Sequence, residues 1–282
     1  MYVLEAINAA GNVLPLMPSD QYTVRSISGL LPNSAAVYSS DVAGGDGAIY
    51  NSSHVESRNI VLMIHPEFPV EQNRINLYSF FKIGQAVDLH FKNDSRDVKI
   101  TGYVENFDGS LFDQKQQIQI SIICPQPFFK SAQALIEQVS EILDLFEFPF
   151  STEDEGIVFS EINEDRQLTI LNSGEVDAGV IITLHANGTV KNPVIYDVTN
   201  NAQFGLTVDL SAGDEITINT NRGNKSVFMV SDNVQKNIIN SMSKNSKFFV
   251  VPPGETVFTY DCAEGRDNLL VYFQYYNQYQ GV

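Results

Sequence analysis

The chain has 282 residues, room for two cores at the usual ~100–200 residues per domain, and its 43% hydrophobic and 18% charged residues describe a folded protein, not a disordered one. Its 17 Lys and Arg stand against 34 Asp and Glu, a net charge of −17 divided as 9 against 17 in residues 1–150 and 8 against 17 in residues 151–282. The absence of a basic cluster excludes the counterion-releasing contacts of nucleic-acid binding and attachment to anionic membrane, and no run of about 18 apolar residues exists to cross a bilayer.

The opening M-Y-V-L-E-A-I-N has an early Glu5 and no basic region, so it does not read as a secretory signal. Val3–Ile7 and Val13–Leu16 flank a turn at Ala10-Gly11-Asn12, a hairpin pattern, and a strand is expected at Tyr22–Ser28. Residues 29–53 are rich in Gly, Ser, Ala and Asn and read as a long loop. Connections of that length usually serve a function or become ordered on a partner. Val55–Ile64 reads as a strand buried on both sides, and Glu71–Phe81 as a short helix with Ile75, Tyr78 and Phe81 along one stripe.

Ala86–Phe91 and Val98–Phe107 are further strands, and Phe107–Ser110 supplies the turn before Gln117–Ile123. There Ile118, Ile120 and Ile122 alternate with Gln117, Gln119 and Ser121, so one face is aliphatic and the other polar but uncharged. Residues 131–148 carry Ala132, Leu135, Ile136, Val139, Ile142, Leu143 and Phe146 at helical spacing, with Ser131 as N-cap and Pro149 as stop. A long amphipathic helix packed on a sheet is expected there.

Beyond the charged link at 151–156, turn signals recur every eight to twelve residues, the texture of an antiparallel β-sandwich. Asn187-Gly188 between Val180–Leu184 and Val194–Val198 reads as a hairpin, and a short helical turn is expected near Val234–Met242. Domains of 1–150 and 151–282 follow, the first β-rich with one long helix and the second a sandwich.

Nothing in the chain assembles chemistry. His54, His65, His90 and His185 lack metal-site spacing, Gly44-Gly45-Asp46-Gly47 lacks the strand–turn–helix setting of a phosphate loop, and there is neither a G-x-S-x-G elbow nor a calcium loop. Acidic residues at Glu153–Glu155 or Glu161–Asp165 could supply a glycosidase carboxylate pair only if two of them faced each other across a cleft, and they read as solvated surface. Cys124 and Cys262, alone and far apart, read as two buried thiols, with one disulfide as the alternative. A sugar site would lack the usual Trp platform, since the chain has none; the aromatic run Tyr272–Tyr279 is either a terminal sandwich strand or a contact surface. No catalytic, cofactor or metal residue is therefore assigned.

In order along the chain, several short blocks resemble the distal tail protein family of tailed bacteriophages and their prophage-derived relatives. They include Asp46-Gly47, Tyr50-Asn51-Ser52-Ser53, Arg58–Leu62, Arg74-x-x-Leu77-Tyr78-x-x-Phe81, Val87-x-Leu89-x-Phe91 and Ile100-x-Gly102–Glu105. Gln119–Pro125-x-Pro127-x-Phe129 follows, then Glu215-Ile216-x-Ile218-x-Thr220, Gly223-x-Lys225-Ser226-Val227, Phe248-Phe249, Pro253-Gly254 and Tyr275-x-x-x-Tyr279-x-Gly281-Val282. The resemblance implies a non-enzymatic hub in the virion tail, a homo-hexameric ring formed by the N-terminal domain and a galectin-like C-terminal sandwich. Its implied partners are the tail tube protein, a tail-associated hub protein and a receptor-binding protein, with no membrane insertion. Galectin-like names a fold and does not bring sugar binding with it. Binding of host cell-wall saccharide by the sandwich stands as the alternative.

Overall fold

A computed structural model describes residues 2–113, 116–139, 142–144, 160–162 and 167–282, with the backbone alone for 142–144 and 160–162. The chain is mainly β and divides into two compact units, Met1–Ala132 with Gln278–Val282, and Gln133–Asn277.

The first unit contains β1 (Val3–Asn8), β2 (Val13–Met17), β3 (Tyr22–Ser28), β4 (Ala35–Asp41), β5 (Ala48–Val55), β6 (Arg58–Pro66), helix α1 (Val70–Phe80), β7 (Ala86–Lys92), β8 (Asp97–Ser110), β9 (Gln117–Cys124) and β10 (Phe129–Ser131). One antiparallel sheet runs β2-β1-β7-β8-β9-β6-β3, and β10 pairs with β8 and with the short strand Gln278–Tyr279. Period-two alternation builds the core: Ile60, Leu62 and Ile64 from β6 meet Ile118, Ile120 and Ile122 from β9, with Val87, Leu89 and Phe91 from β7. The aliphatic face read from the Gln-rich strand is thus the core face. On its opposite face Ser121 is itself buried, and its hydroxyl lies 3.0 Å from Asn59 Oδ1 and 2.8 Å from Glu105 Oε2.

Helix α1 falls where the sequence places it, but its buried face is different. Asn73, Leu77 and Phe81, spaced four apart, point inward, while Ile75 and Tyr78 are exposed. A polar residue takes the inward position because its hydrogen bonds are met: Asn73 Nδ2 donates to Glu67 O at 3.0 Å, and its own carbonyl accepts from the buried Tyr22 hydroxyl at 3.2 Å.

The second unit adds β11 (Leu135–Gln138), β12 (Ile142–Asp144), β13 (Ser160–Ile162), β14 (Gln167–Asn172), β15 (Val180–Ala186), β16 (Val190–Lys191), β17 (Val194–Asp197), β18 (Ala202–Gly205), β19 (Asp209–Leu210), β20 (Glu215–Asn219), β21 (Ser226–Ser231), β22 (Val234–Asn237), β23 (Gly254–Asp261) and β24 (Leu269–Tyr275). Sheets β11-β24-β15-β20-β21-β22 and β14-β23-β17-β18 enclose one core, so the sandwich expected from turn spacing is present. Phe204, Phe249, Phe258 and Phe273 form a ring-to-ring chain through it, closest at 4.8 Å between Phe258 on β23 and Phe273 on β24.

Three expectations are corrected. The long helix expected over 131–148 does not form in the described part: Ser131 ends β10, and Leu135–Gln138 is a strand paired residue by residue with β24, Leu135 opposite Tyr275 and Gln138 opposite Tyr272. Its backbone completes the edge of an aromatic-rich strand, and Ile136, which a helix would have buried, is exposed. Residues 140, 141 and 145–148 lie outside the described residues.

Asn187-Gly188 does not join a hairpin either. β15 pairs with β20 and β24, whereas β17 lies in the other sheet, so this segment carries the chain between sheets. The two-residue hairpin sits instead at Asp232-Asn233, where φ is 51° and 61° between paired Ser231 and Val234. That hairpin also replaces most of the helical turn expected near Val234–Met242, leaving one 3₁₀ turn at Ile239–Ser241.

Candidate assembly surfaces

Within and just beyond the region read as a loop over 29–53, residues 35–55 form a two-stranded antiparallel hairpin, β4–β5, that pairs with no other strand among the described residues. Its register runs from Ala35 opposite Val55 to Asp41 opposite Ala48, with an irregularity at Tyr38/Ser39. Small and polar residues hid it, because neither strand alternates between apolar and polar. Val37, Tyr38, Ile49 and Tyr50 are each more than half exposed, with Val37 at 64% and Tyr50 at 62%. Tyr38 stacks on His54 at 5.7 Å, and Asn51 Nδ2 donates to Ser40 Oγ at 2.7 Å, so contacts within the hairpin hold its shape. A lone two-stranded ribbon is marginal in water. This one presents large apolar side chains that its own unit does not cover.

The hairpin's root is built around Arg58. That guanidinium is fully buried and pairs with no carboxylate among the described residues; it donates to four backbone carbonyls. Nε reaches Pro127 O at 2.6 Å, Nη1 bonds both Gly29 O and Leu31 O, and Nη2 reaches Gln280 O at 2.6 Å. The plane also lies over the Phe129 ring, 4.7 Å from its centroid. Burial pushes the Arg58 pKa down from its ordinary value, and the neighbouring Cys124 opposes that. Gly29 has φ of +83°, and a Cβ there would stand 2.2 Å from Asn59 O, so the turn into the root admits only glycine.

A second exposed apolar group lies in the same unit: Phe68 before α1, Ile75 and Tyr78 on α1, and Leu111 and Phe112 at the tip between β8 and β9, with Phe112 at 99%. Tyr78 packs edge-on against Phe107 at 5.5 Å, and His65 Nδ1 lies 2.6 Å from Gln116 O, which ties α1 and the end of β6 to that tip.

The residues weighed for chemistry stay apart. His54 stacks in the hairpin, His65 meets a backbone carbonyl, His90 Nε2 contacts Asp97 Oδ1 at 2.5 Å, and His185 lies 4.0 Å from Glu215. Among the described residues no three metal-ligating side chains gather. Asp97 is held below its ordinary pKa, chiefly by the His90 hydrogen bond and also by Lys92. The carboxylates at 153–155 and 163–165, and the side chain of Glu161, lie outside the described residues. Neither cysteine is in a disulfide. Cys124 is buried and its thiol is pushed up to about 12, while Cys262 is only half-buried, a correction to the expectation that both are buried. In the aromatic run, Phe273 and Tyr275 belong to the sandwich core, and the Tyr275 hydroxyl donates to Leu171 O at 3.2 Å.

Residues 173–279 match the family described as siphovirus-type tail component, C-terminal domain. No curated protein matches the chain in sequence. Among solved structures, the fold is similar to the SPP1 Dit protein, described as a paradigm of the hub adsorption apparatus in phages infecting Gram-positive bacteria, with TM-score 0.67, 11% identity, 98% of this chain and 99% of that one. It is also similar to a chain of the phage P2 baseplate in its activated conformation with Ca, with TM-score 0.54, 10% identity and full coverage of both chains.

Proposed function

We propose that this chain, a structural distal tail protein of the siphovirus type, closes into a homo-hexameric hub ring in the virion tail. The ring joins the tail tube protein to the tail-associated hub of the adsorption apparatus. The β4–β5 hairpin carries the reading: an ordered ribbon with exposed Val37, Tyr38, Ile49 and Tyr50 gains a buried face when it lies on a neighbouring copy. The apolar group around Phe68 and Phe112 gives the same unit a surface for a different tail component. The sandwich, galectin-like by resemblance, serves as a mount for adsorption components such as a receptor-binding protein, and the role is mechanical, not enzymatic.

The charge fits a ring around a DNA path. Each copy brings −17, so six copies line any lumen with a field that repels phosphate. Sedimentation of the full chain, alone and with the tail tube protein of its particle, tests the reading. A species of about six times 31.3 kDa in either sample supports it. A 31.3 kDa monomer in both contradicts it.

A further inference from the structure

The segment Gln278–Val282 follows the whole sandwich in sequence yet belongs to the first unit, where it pairs with β10, Tyr279 opposite Phe129 and Gln278 opposite Lys130. Two arginines grip it. Arg58 donates to Gln280 O at 2.6 Å, and Arg96 donates to Gly281 O while its guanidinium lies 4.8 Å from the Tyr279 ring centroid. The segment in turn touches the hairpin root. Val282 N donates to Leu30 O at 3.1 Å, and a Cβ at Gly281 would stand 2.8 Å from that same carbonyl and 3.3 Å from Pro32. Gly29 O and Leu31 O on either side are held by Arg58. Three consecutive root carbonyls, 29 to 31, are thus bound either by Gln278–Val282 or by the arginine that holds it.

We propose that Gln278–Val282 is an assembly latch: docked beneath Arg58 and Arg96, it fixes the direction in which the β4–β5 hairpin leaves the first unit, so a chain joins a ring only after this segment is in place. The idea rests on the ring reading for its consequence, but the latch itself is a property of one chain. Its physical logic is preorganisation. Residues 29–34 lie between β3 and β4, and without their carbonyl partners the hairpin pivots about Gly29 and loses the entropy advantage of a fixed arm. Because residues 133–277 intervene, the root is completed only after the sandwich has been synthesised, and a truncated chain is kept out of the ring.

The test uses hydrogen exchange on the full chain, on Gly281→Val and on a chain lacking 278–282, together with incorporation of each into rings with wild-type protein. Gly281→Val changes one side chain at the root and keeps the test readable if the deletion variant fails to fold. The latch predicts that the amides of Glu56 and Val282, which donate to the root carbonyls of Ser34 and Leu30, exchange about tenfold faster or more in Gly281→Val, that β15 and β20 amides are unchanged, and that incorporation drops by a similar factor. Unchanged exchange at Glu56 and Val282 in Gly281→Val overturns the latch. Faster exchange with undiminished incorporation overturns its role in assembly. If wild-type protein forms no ring, the ring reading fails by itself, while the exchange result still decides whether the latch exists.

Discussion

Arg58 and Gln280 are 222 positions apart, and the arginine Nη2 donates to the Gln280 carbonyl at 2.6 Å inside a site with no solvent access at Arg58. The bond is one of four from this guanidinium to backbone oxygen, so a single planar side chain holds together β6, the hairpin root, the Pro127 turn and Gln278–Val282.

Arg58→Met is therefore expected to leave four carbonyls without their charged donor and to destabilise the first unit by roughly 3–5 kcal/mol. Arg58→Lys recovers only part of this, since an ammonium has three N–H groups and no planar fork. Urea denaturation followed by near-ultraviolet tyrosine signal measures both. Equal stability of Arg58→Met and wild type contradicts the role given to the guanidinium.

The exposed hairpin residues carry the opposite expectation. Tyr50→Ser combined with Val37→Ser removes apolar surface that the monomer does not bury, so its stability stays within about 0.5 kcal/mol while ring formation is lost. Thermal melting and sedimentation on one preparation separate the two effects.

Thiol labelling distinguishes the cysteines. Burial keeps Cys124 protonated at neutral pH, with its pKa raised to about 12, and Cys262 is half-buried on the second unit. One thiol per chain reacts in the native protein at pH 8 and the second only in denaturant; Cys262→Ser leaves none reactive.

Acid weakens the first unit through Asp97. Its folded carboxyl is held below the ordinary 3.8 by His90 and Lys92, so its contribution is complete above that value and is lost as pH falls through the folded pKa. The group is partly exposed, which makes the contribution small. Asp97→Asn flattens the stability profile below pH 4.

The Asp232-Asn233 turn holds two non-glycine residues at positive φ. Asn233→Val costs about 1–2 kcal/mol, because a β-branched side chain clashes in the left-handed region, whereas Asn233→Gly is neutral or slightly stabilising. Melting temperature of the second unit reads both.

The strand faces were legible because burial at every second residue leaves a direct mark, as at Ile118, Ile120 and Ile122. The described part of the segment at 131–148 departs from a helix for a related reason: Leu135, Ile136 and Val139 fit a helical stripe, and single-chain periodicity carries no trace of the open edge of β24 with which Leu135–Gln138 pairs. The hairpin at 35–55 was hidden because its strands bury neither face within the chain. Asn-Gly at 187–188 carried the stronger turn signal, yet the left-handed pair formed at Asp232-Asn233, because a turn's partner strands are set by the sandwich. The Arg58 clamp left no local signal at all. Its acceptors are main-chain carbonyls at 29, 31, 127 and 280, which every residue type supplies. Arg58 and Tyr279-x-Gly281-Val282 appear among the blocks of the family resemblance, and the structure brings those distant blocks together.

Electron microscopy of the full chain assembled with its tail tube protein tests the central claim most directly. The account predicts a sixfold ring in which each β4–β5 hairpin lies against the neighbouring copy. Particles whose hairpins extend into solvent, with no ring-shaped assembly in either the free or the tube-bound sample, would contradict it.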